Sequence, residues 1–358
     1  MAVDKPLTKG ELTLAQACVV LRPSPPGTSS MRESVAGWAA RSVPCMHGTT
    51  PLTVSTLISL HHTTRYRYDA PVLLGPQVVR LCPTPYCRAR ISQYSLTVKP
   101  ENHLLSWMPD PNGNWLARFV FPEKTAELRV EVNLIAELRP VNPFDFIVDQ
   151  HAASWPFAYA ADMREELAAY LPAEPASGAL RAFVEQRQRG PVNTVEFLVE
   201  LNRGLHEDLR YEVRAAPGVQ DPGQTLGRAA GSCRDVAWLL VQALRLLGFG
   251  SRFVSGYLID LSRGADQHAE PVADGFSGLH AWTEVYLPGA GWIGLDPTSG
   301  TLCGEGHIPL AACAHYRSAA PLTGSVESAR VDFHHELRVE RLPARSVPAS
   351  DVVNAGPR

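Results

Sequence analysis

From residue 56 the chain takes on the texture of short β-strands. Residues 57–66 are β-rich and partly alternating, and residues 92–99 alternate cleanly, with Tyr94, Leu96 and Val98 on one face. Leu104-Leu105-Ser106-Trp107-Met108 and Trp115-Leu116-Ala117-Arg118-Phe119-Val120-Phe121 flank Asp110-Pro111-Asn112-Gly113-Asn114. An Asn-Gly between two such runs predicts a hairpin, because both central residues tolerate positive φ. Residues 127–138 alternate strictly, with Leu128, Val130, Val132, Leu134 and Ala136 set to face inward. Antiparallel strands joined by short turns predict a β-sandwich over residues 56–143.

After the breaker cluster Pro140-Val141-Asn142-Pro143 the period changes. Residues 162–171, 177–189 and 195–209 have helical spacing, the last with Asn193 or Thr194 available as N-cap. A Pro/Gly-rich loop at 216–227 leads to Val236, Ala237, Leu239, Leu240, Ala243, Leu244 and Leu247, the spacing of a buried helix closed by Gly248. Strands follow, ending in an alternating one near residues 329–341. The pattern predicts an α+β chain: the sandwich, then a unit over residues 144–342 with helices packed on an antiparallel sheet. Residues 1–55 contain Arg22-Pro23-Ser24-Pro25-Pro26-Gly27-Thr28-Ser29-Ser30 and read as a disordered extension. The apolar stretch at 12–21 follows Asp4 and Glu11 and lacks a cleavage site, so no secretory leader is expected. Residues 343–358 read as a flexible tail.

Composition narrows the function. The 358 residues, 45% hydrophobic and 19% charged, allow about two globular domains. A net charge of −3 gives no footprint for nucleic acid or an anionic membrane, and Arg65-Tyr66-Arg67 reads as a solvated strand face. No apolar run reaches the roughly 18 residues of a membrane span. The seven cysteines, at 18, 45, 82, 87, 233, 303 and 313, form no CxxC pair, hence neither a disulfide framework nor a zinc spacing. Cys82 and Cys87 could bridge across Pro83-Thr84-Pro85, but reduced thiols are the simpler reading, and a reducing, cytoplasmic compartment is the expectation. His61-His62 and His334-His335 lie on strands whose neighbours point to opposite faces, and His268 sits in an acidic loop with Asp266 and Glu270, so no metal is expected. No GxxxxGK[ST] or GxGxxG motif precedes a helix, so no nucleotide cofactor is expected.

The chemistry concentrates at Gly231-Ser232-Cys233-Arg234-Asp235. Ser232 and Asp235 make a capping-box pattern that places Cys233 at the first helical position, where free N–H groups and the positive dipole end favour a thiolate. The alternative, a buried core thiol, stays open on local context. In residues 280–287, His280, Trp282, Glu284 and Tyr286 share one strand face. With the turn centred on Pro288, Glu284 faces Trp292 and His280 faces Asp296, within reach of an aspartate–imidazole hydrogen bond, whereas a type I′ turn centred on Gly289-Ala290 would spoil that match. Asp296 could otherwise be a turn former before Pro297, and His280 a satisfied structural histidine. Together Cys233, His280 and Asp296 supply the nucleophile, base and orienting carboxylate of thiol acyl transfer. Tyr211 is a candidate second oxyanion donor or a packing tyrosine, and Trp282 and Trp292 are read as walls of the site or core.

These motifs also carry a resemblance. Gly231-Ser232-Cys233-Arg234-Asp235, Arg252-Phe253-Val254-Ser255-Gly256-Tyr257-Leu258, His280-Ala281-Trp282-Thr283-Glu284-Val285-Tyr286 and Gly291-Trp292-Ile293-Gly294-Leu295-Asp296-Pro297-Thr298 resemble the bacterial transglutaminase-like superfamily. His61-His62-Thr63-Thr64-Arg65-Tyr66-Arg67-Tyr68 onward resembles its β-rich N-terminal domain. The likeness extends through Gly304-Glu305-Gly306-His307-Ile308-Pro309-Leu310 and His315-Tyr316-Arg317-Ser318-Ala319-Ala320-Pro321. It implies a papain-like core, catalysis by Cys233, His280 and Asp296, no cofactor, and a peptide or protein substrate. The implied reaction is hydrolysis of a peptide or isopeptide amide, with transfer to an amine, or a non-catalytic interaction module keeping the fold, as alternatives.

Overall fold

The computed structural model describes residues 55–188, 190–214, 216–260 and 278–343, with the backbone of Gly10–Thr13. The rest of the expected N-terminal extension, residues 344–358 of the expected tail, and the loop bearing Asp266, His268 and Glu270 lie outside the described residues.

The first strands are β1 (Gly10–Thr13), β2 (Thr56–Val72), β3 (Gln77–Val79), β4 (Arg90–Lys99), β5 (Leu104–Pro109), β6 (Trp115–Val120) and β7 (Thr125–Leu138). The alternation in β7 is the burial pattern: Leu128, Val130, Val132, Leu134 and Ala136 are all buried. Antiparallel pairing with β2 sets Ile58 against Ala136, Leu60 against Leu134 and Tyr66 against Leu128, giving one continuous apolar face. The β5–β6 hairpin forms as expected, with Pro109 opposite Trp115, but its loop is longer than a two-residue turn. Gly113 has φ 80°, and Asp110 Oδ1 accepts from the N–H groups of Asn112 (2.8 Å) and Asn114 (2.9 Å), holding the turn by side-chain hydrogen bonds.

The second part runs β8 (Ser154–Trp155), α1 (Ala161–Glu166), α2 (Gly178–Glu185), β9 (Val192–Asn193), α3 (Thr194–Asp208), β10 (Arg210–Tyr211), α4 (Pro222–Arg228), β11 (Ala230–Gly231) and α5 (Cys233–Leu246). Then come β12 (Ser251–Leu258), β13 (Gly278–Leu287), β14 (Gly291–Asp296), β15 (Thr301–Leu302), β16 (His307–Cys313), β17 (Leu322–Val326) and β18 (Val331–Leu342). Asn193 caps α3, accepting from Val195 N at 2.9 Å and Glu196 N at 3.1 Å. A five-stranded antiparallel sheet of order β15-β14-β13-β12-β16 carries α5, which is buried at every position from Cys233 to Arg245. A helix buried all round sits at the centre of its fold, not on its surface. The architecture is α+β, a β-rich N-terminal region followed by a helix-and-sheet papain-like core.

The alternation near residues 329–341 does not say which sheet that strand joins. It pairs with β2 from Val331↔Tyr68 to Leu342↔Leu57, in a four-stranded sheet of order β18-β2-β7-β4. β7 covers one edge of β2; β18 covers the other, which would otherwise expose a long row of unpaired backbone groups. β17 likewise joins β3 in the second N-terminal sheet, where the β1 backbone pairs with it from the other side.

The two parts share a core. Tyr257, Ile259, Leu279, Ile308 and Leu310 pack into the cluster that holds Leu60, Phe119 and Leu134. His62 sits in that contact, with Nδ1 2.8 Å from Tyr257 Oη and Nε2 2.9 Å from Thr64 Oγ1. Burial, helped by the neighbouring His335 and His61, pushes the His62 pKa down to about 3. Its unfolded value is 6.5, so below pH 6.5 the unfolded chain binds the proton more readily and stability falls with falling pH, down to about pH 3. Urea unfolding of wild type and His62→Gln across this window tests the assignment. Wild type is expected to lose roughly 1 kcal/mol per pH unit more than the variant, and parallel curves contradict it.

Candidate active site

Gly231 lies in β11, beside Tyr211 of β10 in a short parallel pair. A Cβ there would meet Asp235 Cβ at 3.0 Å and Thr225 Cγ2 at 3.2 Å, so close packing is what calls for glycine. Ser232 is the N-cap, and Asp235 reaches back to it: Oδ2 accepts from Ser232 N at 2.9 Å and from Ser232 Oγ at 2.6 Å. Arg214 forks onto the same carboxylate, with Nε 2.9 Å from Oδ2 and Nη2 2.9 Å from Oδ1, and Gln220 N donates to Oδ1 at 2.7 Å. Burial raises the Asp235 pKa, but Arg214 and the donors of Ser232 and Gln220 outweigh it, and the net shift is downward. The charge beside Cys233 is therefore already neutralised by Arg214, and the positive end of α5 is not cancelled by its own capping residue.

Cys233 takes the first helical position and is fully buried, in a cluster with Ala237, Trp238, Phe253 and Ala281. Tyr211 packs against the same cluster. Arg234, beside it, is held by carbonyls: Nε donates to Gly218 O at 2.7 Å, and Nη2 to Arg214 O at 2.9 Å and Ala216 O at 2.7 Å. Thr283 Oγ1 donates to Ala237 O at 2.8 Å, tying β13 to the first turns of α5.

His280 Nε2 stands 3.0 Å from Asp296 Oδ2, with both side chains buried. The register that produces this differs from the one expected. Leu287 pairs with Gly291, Tyr286 with Trp292 and Glu284 with Gly294, so the hairpin is shifted by two residues and His280 meets Asp296 diagonally. A shift of two preserves the strand face, which is why the contact survives. Thr298 N donates to Asp296 Oδ1 at 2.9 Å, and Asn202 Nδ2 holds the Asp296 carbonyl at 3.3 Å.

A second histidine, assigned no role from sequence, shares this carboxylate. His307 Nε2 lies 3.4 Å from Asp296 Oδ2, and its Nδ1 accepts from Gly304 N at 3.2 Å. An accepting Nδ1 places the proton of the neutral ring on Nε2, where it can donate to Asp296. The signal for His307 in the sequence is weak: a histidine closing a glycine turn before an apolar run. Burial raises the Asp296 pKa, yet the two histidines overcome it and hold the carboxyl well below the ordinary carboxylate range. Trp282 is buried against both rings, 6.3 Å from His280 and 5.2 Å from His307 between centroids. Trp292 instead packs on Tyr170, Tyr286 and Arg252. Among the described residues, His280, Asp296 and His307 are the set whose ligand atoms gather closely enough for a metal, within 4.8 Å of one another. Both ring Nε2 atoms are hydrogen-bonded to the aspartate, so metal binding would have to displace those protons.

Residues 58–137 match the family described as the bacterial transglutaminase-like N-terminal region, and residues 181–297 match the transglutaminase-like superfamily. An uncharacterised protein of Mycobacterium tuberculosis is 26% identical over 302 residues, covering 82% of this chain and 95% of its own. One of Mycobacterium leprae is 25% identical over 265 residues, covering 74% and 90%. A solved structure of a candidate cysteine protease from Cytophaga hutchinsonii has a TM-score of 0.61 at 16% identity, covering 82% of this chain and 93% of that one. The periplasmic domain of TgpA from Pseudomonas aeruginosa also matches, with a TM-score of 0.32 at 16% identity over 67% of this chain and 90% of its own.

The cytoplasmic location expected from the cysteines does not stand, because these thiols carry no information about compartment; TgpA, for its part, is described as a periplasmic domain. Cys82, Cys87, Cys233, Cys303 and Cys313 are free, and burial drives Cys82 and Cys313 up to about 12 and Cys87 up to about 11. Thiols held protonated this way are poor nucleophiles and slow to form disulfides, so they do not report a compartment. With a β-rich region of the matching kind leading into a papain-like core, the chain belongs to the bacterial transglutaminase-like superfamily.

Proposed function

We propose that this protein is a cysteine-dependent hydrolase of peptide or isopeptide amide bonds, acting through Cys233, His280 and Asp296. The observation that carries the reading is the 3.0 Å contact between His280 Nε2 and Asp296. A carboxylate only accepts, so it holds the imidazole with its proton on Nε2 and its lone pair on Nδ1, the form a general base needs. Cys233 at the start of α5 adds a thiol where helix N–H groups favour the thiolate. The fold neighbour described as a candidate cysteine protease agrees with this chemistry.

In the proposed reaction the Cys233 sulfur attacks the amide carbonyl carbon, and the thiol proton passes to His280 Nδ1. Collapse of the tetrahedral adduct breaks the C–N bond as His280 returns the proton to the leaving amine. Water, deprotonated by His280, then attacks the thioester and releases the acid and the free thiol. The developing oxyanion is assigned to the backbone N–H of Cys233, with Tyr211 the candidate second donor. Asp296 stays ionised throughout and steadies the imidazolium, with His307 fixing its carboxylate.

Limited treatment with iodoacetamide at neutral pH, read by peptide mapping, is expected to label Cys233 ahead of thiols that burial holds protonated, such as Cys82 and Cys313. Cys233→Ala is expected to abolish turnover of a fluorogenic peptide library. Uniform labelling together with unchanged turnover would sink the enzyme reading in favour of a binding module. Asp296→Asn keeps an acceptor but loses the charge; kcat is expected to drop by about 10⁴-fold with the circular dichroism spectrum retained. A wild-type rate in that variant would leave the aspartate a structural role alone. Repeating the library assay with a primary amine separates the acceptors: hydrolysis leaves free acid as the product, whereas amine incorporation would reassign the enzyme as a transferase.

A further inference from the structure

A groove of about 620 Å³ opens beside His280, lined by β3 and β17 of the N-terminal sheet on one side and by α5, β12 and β13 on the other. Its apolar surface includes Phe253 and Tyr316, which belong to the same cluster as Cys233. Among the described residues, the charged side chains lining it are of one sign: Arg80, Arg234 and Arg317, with no aspartate or glutamate. They come from three separate stretches of chain, so their convergence is a product of the fold.

None of the three is paired with a carboxylate among the described residues. Arg234, next to Cys233 in the chain and mostly buried, spends its hydrogen bonds on the carbonyls of Arg214, Ala216 and Gly218. Those bonds fix the guanidinium in place without neutralising it. Arg80 Nη1 donates to Ala320 O at 3.1 Å and Thr323 Oγ1 at 3.0 Å, while its Nε is buried with no hydrogen-bond partner. Burial lowers the Arg80 pKa against the opposing influence of Cys313 and Asp110. Asp110 is itself engaged, accepting from Asn112 N, Asn114 N and Asn114 Nδ2. Arg317 is exposed at the rim, its guanidinium 5.6 Å from the Tyr316 ring centre. Half-buried guanidiniums carry a desolvation cost that a bound carboxylate offsets, and their planar donors fit a carboxylate two bonds at a time.

We propose that this groove is the substrate channel of the site and selects acidic peptides, whose carboxylates pair with Arg80, Arg234 and Arg317 while the scissile amide lies against Cys233. The assignment of the groove to substrate rests on the hydrolase reading; the charge selectivity is measurable without turnover. The volume suits a few residues of extended peptide, and the mixed apolar and cationic lining suits side chains interspersed with carboxylates better than a uniform polyanion.

The test uses the full chain carrying Cys233→Ala and follows fluorescence anisotropy of a fluorescein-labelled decapeptide of alternating glutamate and alanine. The comparison peptide has glutamine for every glutamate. The acidic peptide is expected to bind at least ~10-fold more tightly at low salt, with the gap narrowing as added salt screens the pairing. Arg80→Gln combined with Arg317→Gln is expected to shrink the difference to the part that Arg234 alone sustains. Arg80→Lys with Arg317→Lys, which retains the charge, is expected to keep most of the difference and so controls for folding. Equal affinities in the parent, or binding of neither peptide, overturns the proposal, as does an undiminished preference in the double Gln variant. Equally tight binding of a ten-nucleotide oligothymidylate would show that the groove reads charge alone and would overturn the peptide assignment. Charge-selective binding in a protein whose Cys233 proves unreactive would leave this proposal standing and remove the hydrolase reading; turnover without charge preference would do the reverse.

Discussion

The carboxylate of Asp235 is the interaction on which the site is assembled. It is fully buried and accepts from Ser232 N, Ser232 Oγ, two nitrogens of Arg214 and Gln220 N. One side chain thereby caps the central helix, closes the turn that presents Cys233, and anchors the loop carrying Arg214 and Gln220. A buried carboxylate is tolerated only when it is fully paired, and removing a partner from such a set costs far more than the set itself contributes. The loop and the helix start are therefore held as one unit. Arg234 extends the same unit by fastening to the carbonyls of that loop, which is how a cation comes to rest beside Cys233.

Asp296 plays the corresponding part on the sheet. Two imidazoles and a backbone N–H converge on it, in an environment that would otherwise protonate it. Because His280 and His307 come from strands on opposite sides of β12 in the sheet, the aspartate also ties the two sides together. The helix and sheet halves of the site are coupled by the Thr283–Ala237 hydrogen bond and by the apolar cluster shared by Cys233 and Ala281. Polar contacts fix the direction of His280 and Asp296, and apolar packing fixes how near α5 lies to the sheet.

The β-rich N-terminal region is part of this arrangement and not an appendage. Its core continues into the back of β12, β13 and β16, and Arg80 beside β3 reaches the groove that opens at His280. The chain end reinforces the connection, since β17 and β18 return to the two N-terminal sheets after the central sheet is complete. The groove formed between the two regions is lined by residues of both and opens at His280.

Much of this was legible in the residues. Alternation in β7 determined its buried face, the capping pattern at Ser232 and Asp235 determined where α5 begins, and helical spacing marked α5 as a core element, because these features depend on neighbours within one or two turns of chain. Face parity also survived a wrong register: a hairpin slipped by two residues still places His280 and Asp296 on the same side. The sequence could not determine that β18 pairs with β2, that His307 shares Asp296, or that Arg80, Arg234 and Arg317 converge on one groove. Each of those joins residues far apart in the chain, and local periodicity carries no information about which distant partner satisfies a buried charge or an open strand edge. Only the packed tertiary structure decides that, through the requirement that every buried donor, acceptor and edge be matched at once.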